Sequence, residues 1–271
     1  MTGALLLAGC GKMGGALLEG WIEAGYPPKR ITVVEPDKAA AQRHGRKGGP
    51  NFLASPADLK AGFAPALVAF AVKPQMMDSV APAYGVFAGP DTVFLSIAAG
   101  KTIAYFEDAL GPEAAVVRAM PNTPAAVGHG ISVACANALV SDEQSRLCGD
   151  LLAAVGEVAW VADEALLDPV TAVSGSGPAY VFLLVECLAR AGIEAGLPED
   201  LAQRLARRTI TGSGELLELS EDDAATLRQN VTSPAGTTQA ALDVLMADDG
   251  LERLMIRAVD AATRRSRELA G

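Results

Sequence analysis

The chain has 271 residues, half of them apolar, with 22 basic against 32 acidic side chains and a formal charge of −10. So acidic a balance argues against a surface that neutralises nucleic-acid phosphates or rests on anionic lipid. The apolar half can fill the core of one large or two modest domains, with no long disordered or low-complexity stretch.

In chain order, the apolar run Ala4 to Ala8, a helical pattern from Met13 to Ala24 and a second run Ile31 to Val34 form a strand, helix, strand unit of parallel type. Leu7-Ala8-Gly9-Cys10 imitates a lipoprotein cleavage box, but no basic residue precedes it and its apolar run is short, so no targeting segment is expected. Further strands are expected at Leu67 to Val72, Thr92 to Ile97, Ala115 to Arg118, Ile131 to Ala134 and Val158 to Val161. Unbroken apolar strands suit a mostly parallel sheet with helices on both faces. Ser141 to Gln144 has the spacing of a capping box, opening a helix to about Ala154. After about Asp163 the strand signals stop and helical periodicity takes over, which places a boundary near 162–165 and gives domains 1–162 and 163–271. Gly, Ser and Pro interrupt the charge-free stretch from Pro169 to Val185, so no membrane span is expected. Its small residues suit close helix packing, either within the domain or against a second subunit.

The strongest motif is Gly9-Cys10-Gly11-Lys12-Met13-Gly14, a G-x-G-x-x-G string after a strand and at a helix start. Gly9 permits a tight turn, Gly11 lets the backbone approach a pyrophosphate, and Gly14 allows close packing, while the helix N-terminus favours negative charge. Glu35, at the end of the second strand, can accept hydrogen bonds from the ribose hydroxyls of NAD and repel a 2′-phosphate, although Lys38 and Arg43 nearby could compensate. The lean is to NAD over NADP. Ala71, Val72, Lys73 and Pro74 close a later strand at the sheet edge where such proteins bind ligands. There Lys73 is either a contact or a surface lysine ahead of a helix. Ala98, Ala99 and Gly100 should reach the same edge, as should Asn122, which either anchors a nicotinamide or shapes a turn.

In the helical half, Ser233-Pro234-Ala235-Gly236-Thr237-Thr238 suggests a helix start with Ser233 as N-cap and Pro234 at the first helical position. The amides of Ala235, Gly236 and Thr237 would then face outward beside hydroxyls and attract a carboxylate, or simply form a capped helix. All seven lysines lie at or before Lys101 and both histidines at or before His129, so 163–271 hold neither. A hydroxyacid dehydrogenase needs an acid or base on the carbinol oxygen, usually one of those two. An iminium nitrogen can arrive already protonated, and needs only hydride, orientation and a hydroxyl such as that of Thr238. A non-catalytic dinucleotide sensor, the other alternative, has no need of the segment from Ser233 to Thr238. The four cysteines are far apart in sequence and suit a reduced, cytoplasmic protein, and the two histidines exclude a histidine-rich metal site.

These residues resemble the Δ1-pyrroline-5-carboxylate reductases from end to end. The likeness rests on Gly9 to Gly14, Ala71 to Pro74, Ala98 to Gly100, Met120 to Pro124, Ser174 to Tyr180 and above all Leu227 to Leu242. It implies a Rossmann-type N-terminal domain binding NAD(P)H and an all-helical domain for substrate and dimerisation. It implies further that Ser233, Gly236, Thr237 and Thr238 hold the pyrroline carboxylate, with Thr238 facing the ring nitrogen as the imine becomes L-proline. Homodimers, or larger rings of dimers, are implied by the same resemblance. The sequence departs from the family in two places. Ala235 stands where many relatives have the first of two glycines, a change expected to leave an amide-based site intact because the N–H remains. Glu35 stands where many NADPH-preferring relatives carry a small or basic residue.

Overall fold

The computed structural model describes residues 3–45 and 47–270. Strands β1 (Ala4–Ala8), β2 (Ile31–Val34), β3 (Asn51–Leu53), β4 (Pro65–Phe70), β5 (Val93–Ser96), β6 (Ala115–Met120), β7 (Gly130–Ala136) and β8 (Gly156–Trp160) build a single sheet. Their order is β3-β2-β1-β4-β5-β6-β7-β8. Every neighbouring pair is parallel except β6 with β7. The link between those two holds only the 3-10 turn Thr123–Val127, too short for a crossover helix, so the chain returns antiparallel.

Helices α1 (Lys12–Glu23), α2 (Lys38–His44), α3 (Met77–Val80), α4 (Ile103–Leu110) and α5 (Asp142–Ala153) connect the strands. Alternate residues of β1 enter two cores. Leu5 and Leu7 meet Leu17, Leu18 and Trp21 of α1 and Leu151 and Leu152 of α5, while Leu6 and Ala8 meet Phe70, Met77, Phe94 and Phe106. Both faces of the strand are therefore dry, which is why its apolar run does not alternate with polar residues. Trp21 Nε1 donates to the Leu151 carbonyl at 2.8 Å, satisfying the one polar atom that α1 brings into the first core. In the second core, Phe70 lies 5.5 Å from the stacked ring of Phe106 and 5.4 Å from the edge-on ring of Tyr84. The expected capping box is present: Ser141 Oγ accepts the Gln144 N–H at 3.2 Å, and Gln144 Oε1 accepts the Ser141 N–H at 2.9 Å.

Strand β3 was not expected. It is three residues long at the sheet edge, with an exposed Asn51, and so carries no period to detect. The expected strands at Leu67 to Val72 and Thr92 to Ile97 each end sooner, at Phe70 and Ser96, although the Ala71 and Ile97 amides still donate across to Ala8 and Phe70. Conversely, β6 and β7 each extend beyond expectation through their mutual antiparallel ladder.

The chain divides into two compact units, one running to Gly175 and resuming at Ala262, the other Ser176–Ala261. The sheet unit runs past the 162–165 change-over because Leu167 in α6 (Leu167–Val170) and Ala172 in the π-helical turn Thr171–Gly175 are completely buried. The second unit is helical: α7 (Gly177–Glu194), α8 (Glu199–Leu219), α9 (Ala224–Asn230), α10 (Thr237–Leu245) and the first part of α11 (Leu251–Ala270). Helices α7 and α8 pack closely where Gly192 meets Ala202, a position at which an added Cβ would come within 3.3 Å of the Ala202 Cβ. By length and composition alone, the helical run Glu164–Glu194 is long and apolar enough to cross a membrane. The expected interruptions do not break it: Gly175 closes a π-helical turn and Pro178 occupies the first turn of α7, where its missing N–H costs nothing.

The segment from Ser233 requires a correction. The helix begins at Thr237 with Gly236 as N-cap, not at Ser233 and Pro234. A turn precedes it, closed by the Gly236 N–H donating to the Ser233 carbonyl at 3.0 Å. Pro234 sits at its second position and Ala235 at its third, with φ +57°. That is the pattern of a type II turn, whose third position favours glycine. A side chain there costs about 1–2 kcal/mol in the folded state, offset by about 0.4–1 kcal/mol from the freer unfolded glycine chain. Ala235 thus carries a backbone cost that retention of its N–H does not remove.

Replacing Ala235 by glycine should accordingly raise the free energy of unfolding by roughly 0.5–1 kcal/mol, measured by urea titration; a lower value would show that the turn is relaxed. Burial pushes the Cys10 thiol up to about 12, with the Glu35 carboxylate adding to the effect. Burial likewise raises Cys148 and Cys135. These three thiols should resist a thiol reagent at neutral pH until the protein unfolds, whereas Cys187 is exposed in the single chain.

Candidate functional site

The first candidate site lies at the carboxyl ends of β1, β2, β4 and β5, beside β1, where the strand order reverses. After β1 the chain turns at Gly9, whose φ of +91° suits glycine and whose Cβ, if present, would lie 2.8 Å from Val72 Cγ1. Helix α1 then starts with Gly11 as N-cap, no side-chain cap and no acidic residue in its first turn. The amides of Lys12, Met13 and Gly14 therefore lack internal acceptors. A Cβ at Gly14 would run into the Gly9 carbonyl, so only glycine lets the helix approach this closely. Nothing lies within 4 Å of the Cβ position of Gly11, which leaves its backbone open to a large anion. These residues fit the pyrophosphate of a dinucleotide.

The structure brings Glu35 to the same loop. Its Oε2 accepts the Cys10 N–H at 2.7 Å and its Oε1 the Asp37 N–H at 2.8 Å, so two amides fix the carboxylate between the ends of β1 and β2. The spacing of the motif did not reveal the bond to Cys10, since only the parallel pairing of β1 with β2 makes the two neighbours. Across the switch point, Ala71 donates its N–H to the Ala8 carbonyl at 2.8 Å, and Val72 packs against Gly9. Lys73 is exposed, and its carbonyl accepts the Met76 N–H at 2.9 Å, with Pro74 opening the 3-10 turn that leads to α3. A cleft of about 140 Å³ runs here, lined by Ala8, Gly9, Val34, Pro36, Val72 and Tyr84.

After β5, Ala98 is buried, with its N–H donating to Ser96 Oγ at 3.2 Å, and Gly100 takes φ +70°. A Cβ on Gly100 would lie 2.9 Å from the carbonyl oxygen of Leu269. Next in chain, Lys101 pairs with Asp78 at 2.6 Å and lies 4.0 Å above the Tyr105 ring, joining the β5–α4 connection to α3. That hydrogen bond holds the Asp78 carboxyl below its usual range. Asn122 Oδ1 accepts the Ile131 N–H at 3.0 Å, bracing the turn between β6 and β7. Sequence reasoning missed Arg118, a buried guanidinium bonded to Glu164 at 2.7 Å. A charged residue inside the apolar run Ala115 to Met120 was the available signal.

The second candidate site, in the helical unit, is the N-terminus of α10. Ser233, Gly236, Thr237 and Thr238 come together there. A Cβ on Gly236 would collide with Ser233 Oγ, so glycine keeps that hydroxyl close to the helix start. The amides left without helical acceptors are those of Thr237, Thr238 and Gln239, two residues later than the expected Ala235, Gly236 and Thr237. Thr237 is exposed and Thr238 half-buried.

Comparison with known proteins places both halves. Residues 164–269 match the family model described as pyrroline-5-carboxylate reductase dimerisation, and residues 4–100 match that of NADP oxidoreductase coenzyme F420-dependent. A pyrroline-5-carboxylate reductase of Pseudomonas aeruginosa is 41% identical over 269 residues, spanning 99% of this chain and 97% of its own. The solved pyrroline-5-carboxylate reductase from Coxiella burnetii superimposes with a TM-score of 0.92 at 33% identity, covering all of both chains. That of Plasmodium falciparum, solved with NADP bound, gives 0.83 at 30% identity over 100% of this chain and 99% of its own. With a glycine cradle near its start, a turn-capped helix near its end and relatives matched along its whole length, the chain belongs to the pyrroline-5-carboxylate reductase family.

Proposed function

We propose that the chain reduces 1-pyrroline-5-carboxylate to L-proline by hydride transfer to the cyclic imine carbon, the last step of proline biosynthesis. The observation that carries this reading is the end-to-end match to reductases of that name. The two helix N-termini, each with amides lacking internal acceptors, support it. When bound, the reduced dinucleotide supplies the hydride. The amides of Lys12, Met13 and Gly14 hold its pyrophosphate, with Gly9 and Gly11 giving the backbone room. The turns at Ala71-Val72-Lys73-Pro74 and Ala98-Ala99-Gly100 flank the dinucleotide, and Asn122, its Oδ1 already engaged, offers its amide N–H groups to the nicotinamide end.

NADPH and NADH both serve, with the preference for NADH resting on Glu35. Its carboxylate is fixed by two amides and keeps lone pairs for the ribose hydroxyls, while its charge repels a 2′-phosphate. The substrate carboxylate docks on the α10 terminus, held by Ser233, Thr237 and Thr238, and Gly236 makes room for the Ser233 hydroxyl. Thr238 is the catalytic residue: its hydroxyl meets the ring nitrogen and orients the protonated imine, so no lysine or histidine is needed. In this reading 1–162 bind the dinucleotide and 163–271 bind substrate and dimerise. The exposed apolar residues of α7, Val181, Phe182, Leu183 and Leu184 among them, form the contact with a second copy. Four free cysteines suit the cytosol.

The deciding experiment follows the absorbance of NADPH and NADH with purified protein, with and without pyrroline-5-carboxylate, and assays proline. Imine-dependent decay with proline formed is the expected result; no decay from folded, dinucleotide-binding protein would overturn the reading. Thr238→Val should lower kcat roughly 10- to 100-fold while the dinucleotide Kd stays nearly unchanged. Glu35→Ser should move the NADPH/NADH ratio of kcat/KM about tenfold toward NADPH, an effect of about 1.4 kcal/mol; an unmoved ratio would remove Glu35 from the ribose contact.

A further inference from the structure

We propose that Glu164, acting with Arg118, is a positioning residue that sets the height of the Ala98–Gly100 turn, a role that rests on the reading of this turn as a dinucleotide contact. Arg118 is 3% exposed and stands in register between Ser96 of β5 and Cys135 of β7. It lies one pleat before Met120, at the carboxyl edge of the sheet. Its Nη1 donates to Glu164 Oε1 at 2.7 Å, and the same oxygen accepts the Ile103 N–H at 2.9 Å. One carboxylate oxygen therefore ties the middle of the sheet to the first amide of α4. The turn of interest is the short link between β5 and that amide.

The pair is ill suited to a purely stabilising role. Nε and Nη2 of Arg118, the edge that would grip a carboxylate with two parallel bonds, are buried with no hydrogen-bond partner among the described residues. With the arginine buried and the Glu164 side chain 27% exposed, a half-satisfied pair of this kind adds little over apolar side chains of similar volume. What the arrangement supplies is a fixed distance between β6 and the start of α4. Two further contacts hold the same link: Gly100 lies beneath the Leu269 backbone, and Lys101 is tied to Asp78. With both ends of the link fixed, the backbone amides of Ala98, Ala99 and Gly100 have one height above the sheet edge.

The test is steady-state kinetics on the full chain with NADH, NADPH and pyrroline-5-carboxylate. Arg118→Met/Glu164→Met removes the charges and the acceptor for Ile103 while preserving volume, and should raise the dinucleotide KM about tenfold with the imine KM within about twofold. Arg118→Lys, with Glu164 retained, keeps a cationic donor on β6 and the acceptor for the Ile103 N–H, and should hold the dinucleotide KM within about threefold of the parent. Unchanged KM values in the first variant, or equal losses on both substrates, would overturn the proposal whatever the change in melting temperature. Ala99→Leu tests the reading beneath it. No effect there on the dinucleotide KM would remove the turn from the cofactor site and the proposal with it. A rise there, with none in the double variant, would overturn the positioning role alone.

Discussion

The arrangement at the sheet edge depends on how closely the backbone from Gly9 to Gly14 can approach its neighbours. Helix α1 begins directly over the carbonyl of Gly9, at a separation that no residue with a Cβ at position 14 could reach. The approach leaves the first amides of the helix facing the strand order's reversal point, with no acceptor for them among the described residues. A compact protein that leaves several donors unmet gives up stability unless solvent or a ligand meets them. The adjoining features serve the same spot: Val72 presses against Gly9, and Glu35 takes the Cys10 amide and no other amide of the glycine loop. Negative charge is thereby welcome at the helix terminus and unwelcome one residue earlier, a contrast in sign over a few ångströms that suits a pyrophosphate followed by an uncharged ribose.

How much of this was legible before any coordinates follows from the range of the interactions. The glycine motif, the apolar β1 and β2 runs and the Ser141–Gln144 cap are local patterns, and each appears where its spacing predicts. Strand β3 was illegible because three half-exposed edge residues carry no period. The start of α10 was misplaced because Ser-Pro is as good a turn opening as a helix opening. Only the closure of Gly236 onto the Ser233 carbonyl decides between them. The Glu35–Cys10 and Arg118–Glu164 bonds join residues distant in sequence, so their partners depend on strand order rather than on any window of residues.

The chemistry expected of the helical half also follows from what its residues can and cannot do. Without lysine or histidine after position 163, the helical half lacks the two side chains that usually exchange a proton with the alcohol in a hydroxyacid dehydrogenase. The terminus of α10 instead presents neutral donors: amides without acceptors and the hydroxyls of Ser233, Thr237 and Thr238. Neutral donors bind a carboxylate and orient a nitrogen that already carries its proton, the lighter demand that a cyclic imine makes.

Ala235 and Arg118 have something in common that stability alone does not explain. One holds a side chain at φ +57° immediately before the α10 terminus, and the other buries a guanidinium with two nitrogens unpaired among the described residues, immediately before the Met120 strand end. Each breaks a local rule that the rest of the chain obeys, and each lies within a few residues of a backbone segment assigned to a ligand. Folded proteins tolerate such violations where the displaced backbone or fixed distance is itself the useful product. At Ala235 the chain turns so that the Ser233 hydroxyl lies close to the helix start, and Arg118 shares one Glu164 oxygen with the first amide of α4. The two features share one trait: each accepts a local cost in stability beside a backbone segment with amides that lack helical acceptors or lie at the sheet edge.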